Sequence, residues 1–170
     1  SFEHLFQRSN ADEIAVDTSL TSLTGHAATF KFGKGGGKEG KYGQIVRYQT
    51  GVSYRSPEFE INDIGFLFTA NEINHFTWVG LQFQRQVGIF RSARVNYNHN
   101  FRWDFGGQNL LRWFNTNLHG TFLNNWSIGT GFNYEPLIIS NNALRGGSSL
   151  RIPDQFGHWF YVESDGRKKI

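Results

Sequence analysis

The groups in this chain that can do chemistry are mostly guanidiniums and amides, set at alternate positions. Arg47, Arg55, Arg94 and Arg102, with Asp104 and Glu135, share the wet side of their segments with the row Asn96, Asn98 and Asn100. Charges and amides in such rows can line an aqueous pore, where rings of charge set the preference for ions and solutes. The same side chains can instead pair with one another and fill a plugged interior.

Other clusters are weaker. Glu58, Glu60 and Asp63 lie together beside Asn62 and Gly65, where solvation and turn chemistry are the default and a calcium or acid/base role the exception. Asn141, Asn142 and Arg145, followed by Gly146 and Gly147, form a loop that can fold inward as a constriction or cover a rim. The histidines at 4, 26, 75, 99, 119 and 158 have no metal-ligand spacing. One pair stands out, because a three-residue turn over Gln86 to Gly88 would set His75 directly opposite His99. Interfacial packing is the plain reading of that pair and metal binding the sharper one, while a histidine deep in an apolar face carries a cost. No G-x-S-x-G, H-E-x-x-H or phosphate loop occurs, since the glycines at 33–37 ahead of Lys38 lack a strand-to-helix context. With no Cys in the chain, thiol nucleophiles, disulfides and thiolate metal sites are excluded. The expectation is a non-enzyme without a cofactor.

What must position these residues is period-two alternation, which sends successive side chains to opposite faces of a strand. From Tyr42 to Tyr54 the even residues Val46, Tyr48, Val52 and Tyr54 oppose Arg47, Gln49 and Ser53. From Arg91 to Phe105 the odd residues Ala93, Val95, Tyr97, His99, Phe101, Trp103 and Phe105 oppose Arg94, Asn96, Asn98, Asn100, Arg102 and Asp104. Segments 73–86, 114–122, 126–135 and 158–164 continue the rule, and Phe76 and Trp78 break it by falling on a polar face. Strands are also expected at 12–20 and 27–32, for seven or eight in all. No segment has helical apolar spacing.

Several of these strands exceed the ~5 to 6 residues of soluble sheets and suit a membrane crossing of ~9 to 11 tilted residues. Short turns are expected near 33–40, 86–88, 124–125 and 165–167, and long loops at 56–72, 106–110 and 137–157. That alternation is the mark of an up-and-down outer-membrane barrel. Tyr97, Phe101, Trp103, Phe105, Tyr42, Tyr54, Trp126 and Tyr134 would then form an interfacial girdle. A soluble sandwich or sugar-binding β domain alternates too, with its apolar face inward.

Composition agrees with a two-faced sheet. Aromatics reach 16 %, with 17 Phe, whereas charged residues are only 18 %, and mean hydropathy is -0.46, as expected when a lipid-facing row and a wet row are averaged. No run approaches the ~20 apolar residues of a membrane helix. The net charge of +3 is spread along the chain, which argues against a nucleic-acid partner.

The stretches VSYRSPEFEINDIGFL (52–67), FRSARVNYNHNFRWDFGG (90–107), FNTNLHGTFLNNWSIGTGFNYEP (114–136), SNNALRGG (140–147) and SDGRKK (164–169) together resemble the barrel region of the domain of unknown function 5916 family. That resemblance implies an outer-membrane barrel coupled to an N-terminal module similar to carbohydrate-binding family 9. It further implies that residues 1–170 are one barrel unit inside a longer chain, a complete small barrel being the second option. The expectations are therefore an antiparallel transmembrane β-barrel in the outer membrane of a Gram-negative bacterium, in contact with lipid. It would pass or handle small hydrophilic solutes, glycan-derived ones among them, or else serve as an inert anchor for a sugar-binding domain.

Overall fold

The computed structural model describes residues 21–22, 24–41, 43–59, 61, 65, 67, 69–140, 143–144 and 148–166. Nine strands and no helix form among them: β1 (Ala27–Lys34), β2 (Gln44–Arg55), β3 (Glu72–Phe83), β4 (Phe90–Trp103), β5 (Asn109–Phe122), β6 (Ser127–Glu135), β7 (Ile138–Ser140), β8 (Leu150–Ile152) and β9 (Gln155–Glu163). Seven of them pair in the order β1-β2-β3-β4-β5-β6-β9, and β7 and β8 form a separate ribbon. Every pairing is antiparallel. The fold is thus all-β, as alternation predicts, and the sheet of described residues is open, with β1 and β9 as its edges. The strand expected at 12–20 lies outside the described residues. The ribbon falls inside what the sequence presents as one loop, because three-residue strands are too short to leave a period-two signal.

Register carries the alternation across the sheet. On one face Phe30, Val52, His75 and Phe101 share a row, as do Phe32, Thr50, Thr77, His99, Phe114, Tyr134 and Phe156. Lys31, Arg47, Asn74, Asn98, Asn115 and Asn133 fall on the opposite face. Among the described residues neither face is covered by a second layer, and no large side chain is fully buried. Phe30 is 74 % exposed, Phe156 69 % and Phe160 66 %. Among the described residues the apolar side chains thus form an exposed face along the sheet.

Two connections differ from expectation. The β3–β4 turn is a two-residue hairpin at Gly88 and Ile89, in which Val87 and Phe90 exchange N–H···O bonds of 2.9 and 3.0 Å. Gly88 supplies the positive φ of 57° that such a turn needs. Between this turn and the Phe83–Ala93 pair, residues 84–86 of the β3 side face only 91 and 92, a one-residue bulge. The register beyond it pairs His75 with Phe101 and Thr77 with His99, so His75 is not opposite His99, as a three-residue loop would have made it. The 106–110 connection is not long. Asp104 closes it, accepting the Gln108 N–H on its side chain at 2.7 Å, while the Gly107 N–H donates to the Asp104 carbonyl at 3.1 Å. Composition alone reads such Gly-rich stretches as loops and misses the side chain that tightens them. The long connections are residues 56–71 and 136–154, both at the same end of the sheet, and β3 and β9 begin at Glu72 and Gln155 inside the stretches expected as loops. At the other end the turns are laced together, with Asn125 Nδ2 donating to Asp165 at 3.0 Å and Arg91 to the Leu123 carbonyl at 3.2 Å.

Glycine has a specific use on the polar face. A Cβ at Gly131 would stand 2.6 Å from the Trp159 indole, and one at Gly51 would stand 2.7 Å from the Phe76 ring. The rings lie flat on neighbouring backbone because those positions have no side chain. Gly131→Ala is accordingly expected to destabilise the sheet by about 1 to 3 kcal/mol. Adding Trp159→Ala should cost less in that background than in the wild type, as read from denaturant midpoints of the four members of the cycle.

Candidate functional site

Amides on the polar face of β4 to β6 are joined in a ladder, which stops at Asn74 and Asn100, whose Oδ1 atoms are buried without a hydrogen-bond partner among the described residues. Asn98 Nδ2 donates to Asn115 Oδ1 at 2.9 Å, and Asn115 Nδ2 to Asn133 Oδ1 at 2.8 Å. Asn96 Nδ2 donates to Asn117 Oδ1 at 2.7 Å, and Asn117 Nδ2 returns to Asn115 Oδ1 at 2.7 Å. This ladder exists because register sets Asn98, Asn115 and Asn133 in one row and Asn96 beside Asn117 in the next. Each amide carries both a donor and an acceptor, so the row extends itself from strand to strand. Trp78 continues it, donating its indole N–H to Asn96 Oδ1 at 3.3 Å. The Arg47 guanidinium lies 5.5 Å from the Trp78 ring centroid and donates to Gln82 at 3.0 Å. Trp78 is thus a structural member of the polar face, and Phe76 packs over Gly51 with the Lys31 ammonium 5.9 Å from its ring.

Toward the long-loop end a separate, ionic cluster forms. Glu72 is buried at 6 % exposure and takes Arg55 and Arg102 at 3.2 Å each. Both guanidiniums keep access to water, so Glu72 is the desolvated member held by two cations. A cavity of about 190 Å³ lies beside it, lined by Asn71, Glu72, Arg102, Leu110, Ile138 and Ile152 among others. The β7–β8 ribbon therefore leans over this end of the polar face.

The candidates read from the sequence distribute as follows. Arg47, Arg55, Arg94, Asn96, Asn98, Asn100 and Arg102 stand on the polar face, and Glu135 lies at the end of β6 opposite Gln155. Asp104 leaves that row, being buried in the β4–β5 turn. Glu60, Asn62, Asp63, Asn141, Asn142 and Arg145 lie outside the described residues. His75 and His99 are diagonal neighbours on the apolar face, with Nδ1 and Nε2 3.4 Å apart and ring centroids 5.1 Å apart. The Thr50 hydroxyl meets His75 Nε2 at 3.3 Å and the Thr77 hydroxyl at 2.8 Å. Mutual hydrogen bonding lowers the cost of polar groups on this face. No third metal-ligating side chain joins the pair among the described residues.

Aromatic pairs collect at the long-loop end of the apolar face: Tyr54 with Phe105, Phe101 with Trp103, Phe101 with Phe114, and Phe132 with Phe156, at centroid distances of 5.3 to 6.4 Å. Phe90 and Phe122 stack at 4.7 Å at the other end, where Trp126 is exposed. Tyr97 lies mid-strand instead, and Tyr42 is outside the described residues.

Three features of the site escape a residue-by-residue reading. Glu72 sits at the edge of an apparent loop, Asn115, Asn117 and Asn133 matter only through cross-strand register, and the Tyr161–His119 contact at 3.0 Å spans 42 residues. Extending the polar row of β4 into β5 and β6 would have found the asparagines.

These features define a class: an antiparallel all-β sheet with one amide-rich, guanidinium-bearing face and one exposed aromatic and aliphatic face. The chain belongs to the domain of unknown function family DUF5916, whose model matches residues 4–170. No curated protein and no solved structure matches it.

Replacing Glu72 by Gln keeps its shape and leaves two guanidiniums facing each other. The variant should lose about 1 to 2 kcal/mol of stability, toward the lower part of the range for a charged hydrogen-bonding group because both arginines remain hydrated. Chemical denaturation of the variant against wild type measures this. Asn115→Leu strands Asn98, Asn117 and Asn133 together and should cost at least as much by the same measurement.

Proposed function

We propose that this chain forms part of the wall of an outer-membrane β-barrel, with its polar face lining a hydrated conduit for small hydrophilic solutes and its aromatic and aliphatic face against lipid. The observation that carries this reading is the division of a coreless sheet between an internally hydrogen-bonded amide face and an uncovered apolar one. In a soluble sandwich the apolar face would be packed against a second sheet. In a barrel wall it meets hydrocarbon, and the backbone is satisfied strand to strand. Aromatic pairs near both strand ends agree with the girdles of such barrels. Among the described residues β1 and β9 are the edges of the sheet, which agrees with continuation into further strands. The excess of Arg over Glu on the polar face would favour anions.

A second reading, a plugged anchor, draws on the β7–β8 ribbon leaning over Glu72 and Arg102. Planar-bilayer recording on the full-length protein separates the two. Discrete conductance with a reversal potential on the anion-selective side is expected of the conduit, and a flat record at the lipid baseline refutes it.

The lipid face is tested separately. Val79, in the middle of the sheet between Tyr48 and Tyr97, is 37 % exposed. In vesicles Val79→Arg should cost about 2 to 4 kcal/mol, the penalty for a cation facing the bilayer midplane. If that face meets water, the substitution should fall within about 0.5 kcal/mol of neutral.

A further inference from the structure

At the short-turn end of the polar face a recess of about 220 Å³ opens between β3, β4, β5, β6 and β9, lined chiefly by Gln82, Arg94, His119, Thr121, Ser127 and Tyr161. That volume takes one six-membered sugar ring and falls short of the roughly 300 to 1,000 Å³ of drug-sized sites. Register places Arg94 between Gln82 and His119. Arg47, Arg55 and Arg102 each engage an amide or carboxylate, whereas Arg94 has no hydrogen bond or ion pair among the described residues. Its side chain is exposed and borders the recess.

The facing wall is aromatic. Tyr161 lies flat over Gly129, where a Cβ would overlap its ring, and runs parallel to Trp159 with an interplanar angle of 7°. Its hydroxyl is held by His119 Nδ1 at 3.0 Å, which fixes the ring. The Thr121 and Ser127 hydroxyls stand 3.3 Å apart on the rim. One unanswered guanidinium, one flat ring and a set of neutral hydroxyl and amide groups are therefore brought together.

We propose that this recess is a subsite for an acidic sugar, a hydroxyl-rich ring bearing one carboxylate. Arg94 takes the carboxylate through two parallel N–H···O bonds. Tyr161 packs against the C–H face of the ring, and Gln82, Thr121 and Ser127 serve its hydroxyls. A neutral sugar leaves the guanidinium unanswered, and a simple carboxylate leaves the ring wall and hydroxyls unused. The inference rests on the polar face being hydrated and reachable by solutes.

The test is binding of glucuronate, glucose, acetate and inorganic phosphate to the full-length protein in detergent micelles, followed by saturation-transfer NMR and tryptophan fluorescence. Glucuronate should bind most tightly. Arg94→Gln should weaken it about tenfold, to the level of glucose, without moving glucose. Tyr161→Leu should weaken both sugars and leave acetate unchanged, and Tyr161→Phe should retain both. Equal binding of glucuronate with glucose, acetate or phosphate overturns the proposal, as does an Arg94→Gln variant that binds glucuronate like wild type. Because binding is read without conduction, a protein that binds glucuronate selectively and carries no current refutes the open conduit alone.

Discussion

Register is the constraint on which the rest of this sheet depends, because a slip of one residue would exchange its two faces. In most sheets a packed core enforces register. Here no large side chain among the described residues is fully buried, and the polar face takes over that task. The asparagine ladder from Asn96 and Asn98 through Asn115 and Asn117 to Asn133 forms only in the observed register. Glu72 fixes the long-loop end by joining β2 to β4 through Arg55 and Arg102. Hydrogen bonds among these amides are individually modest, about 1 kcal/mol each, but the cost of stranding the buried Asn115 at the centre is larger, which makes the ladder selective against slips.

Once register is fixed, the apolar face follows without further specification. Rows of Phe, Val, Leu and Tyr face one way along the sheet, and several of the polar interruptions are hydrogen-bonded to one another: Thr50, Thr77, His75 and His99 in one place, Thr130 and His158 in another. Thr116 instead bonds the Asn96 carbonyl, and Arg112 stands exposed opposite Phe101. The same logic explains why large aromatics can stand on the wet face. Phe76 and Trp159 lie flat on Gly51 and Gly131, so their rings cover backbone and leave the surface level. Trp78 turns its N–H into the ladder.

Much of the fold was legible in the sequence because alternation is a local property. The six longer strands from β2 to β6 and β9 can be read within a few residues, and so can the face on which Arg47, Arg94 or Asn98 stands. What was not legible depends on register or on single side chains. The pairing of His75 with Phe101 follows from a two-residue turn at Gly88 and Ile89 combined with one extra residue on the β3 side, where residues 84–86 face only 91 and 92, and the short β4–β5 connection follows from the Asp104 side chain. Glu72 becomes central only when Arg55 and Arg102 converge on it from two strands. The β7–β8 ribbon is too short to leave a pattern at all.

The central claim is that adjacent residues of one strand meet different solvents, and the absence of Cys from this sequence makes it directly measurable. Single cysteines introduced in turn at Val95, Asn96, Tyr97 and Asn98 of β4, in the protein reconstituted into lipid vesicles, would be challenged with a membrane-impermeant thiol reagent. Period-two labelling, with positions 96 and 98 reacting and positions 95 and 97 protected, is the result predicted for a barrel wall. Labelling of all four positions at one rate would mean that both faces meet water and would contradict it.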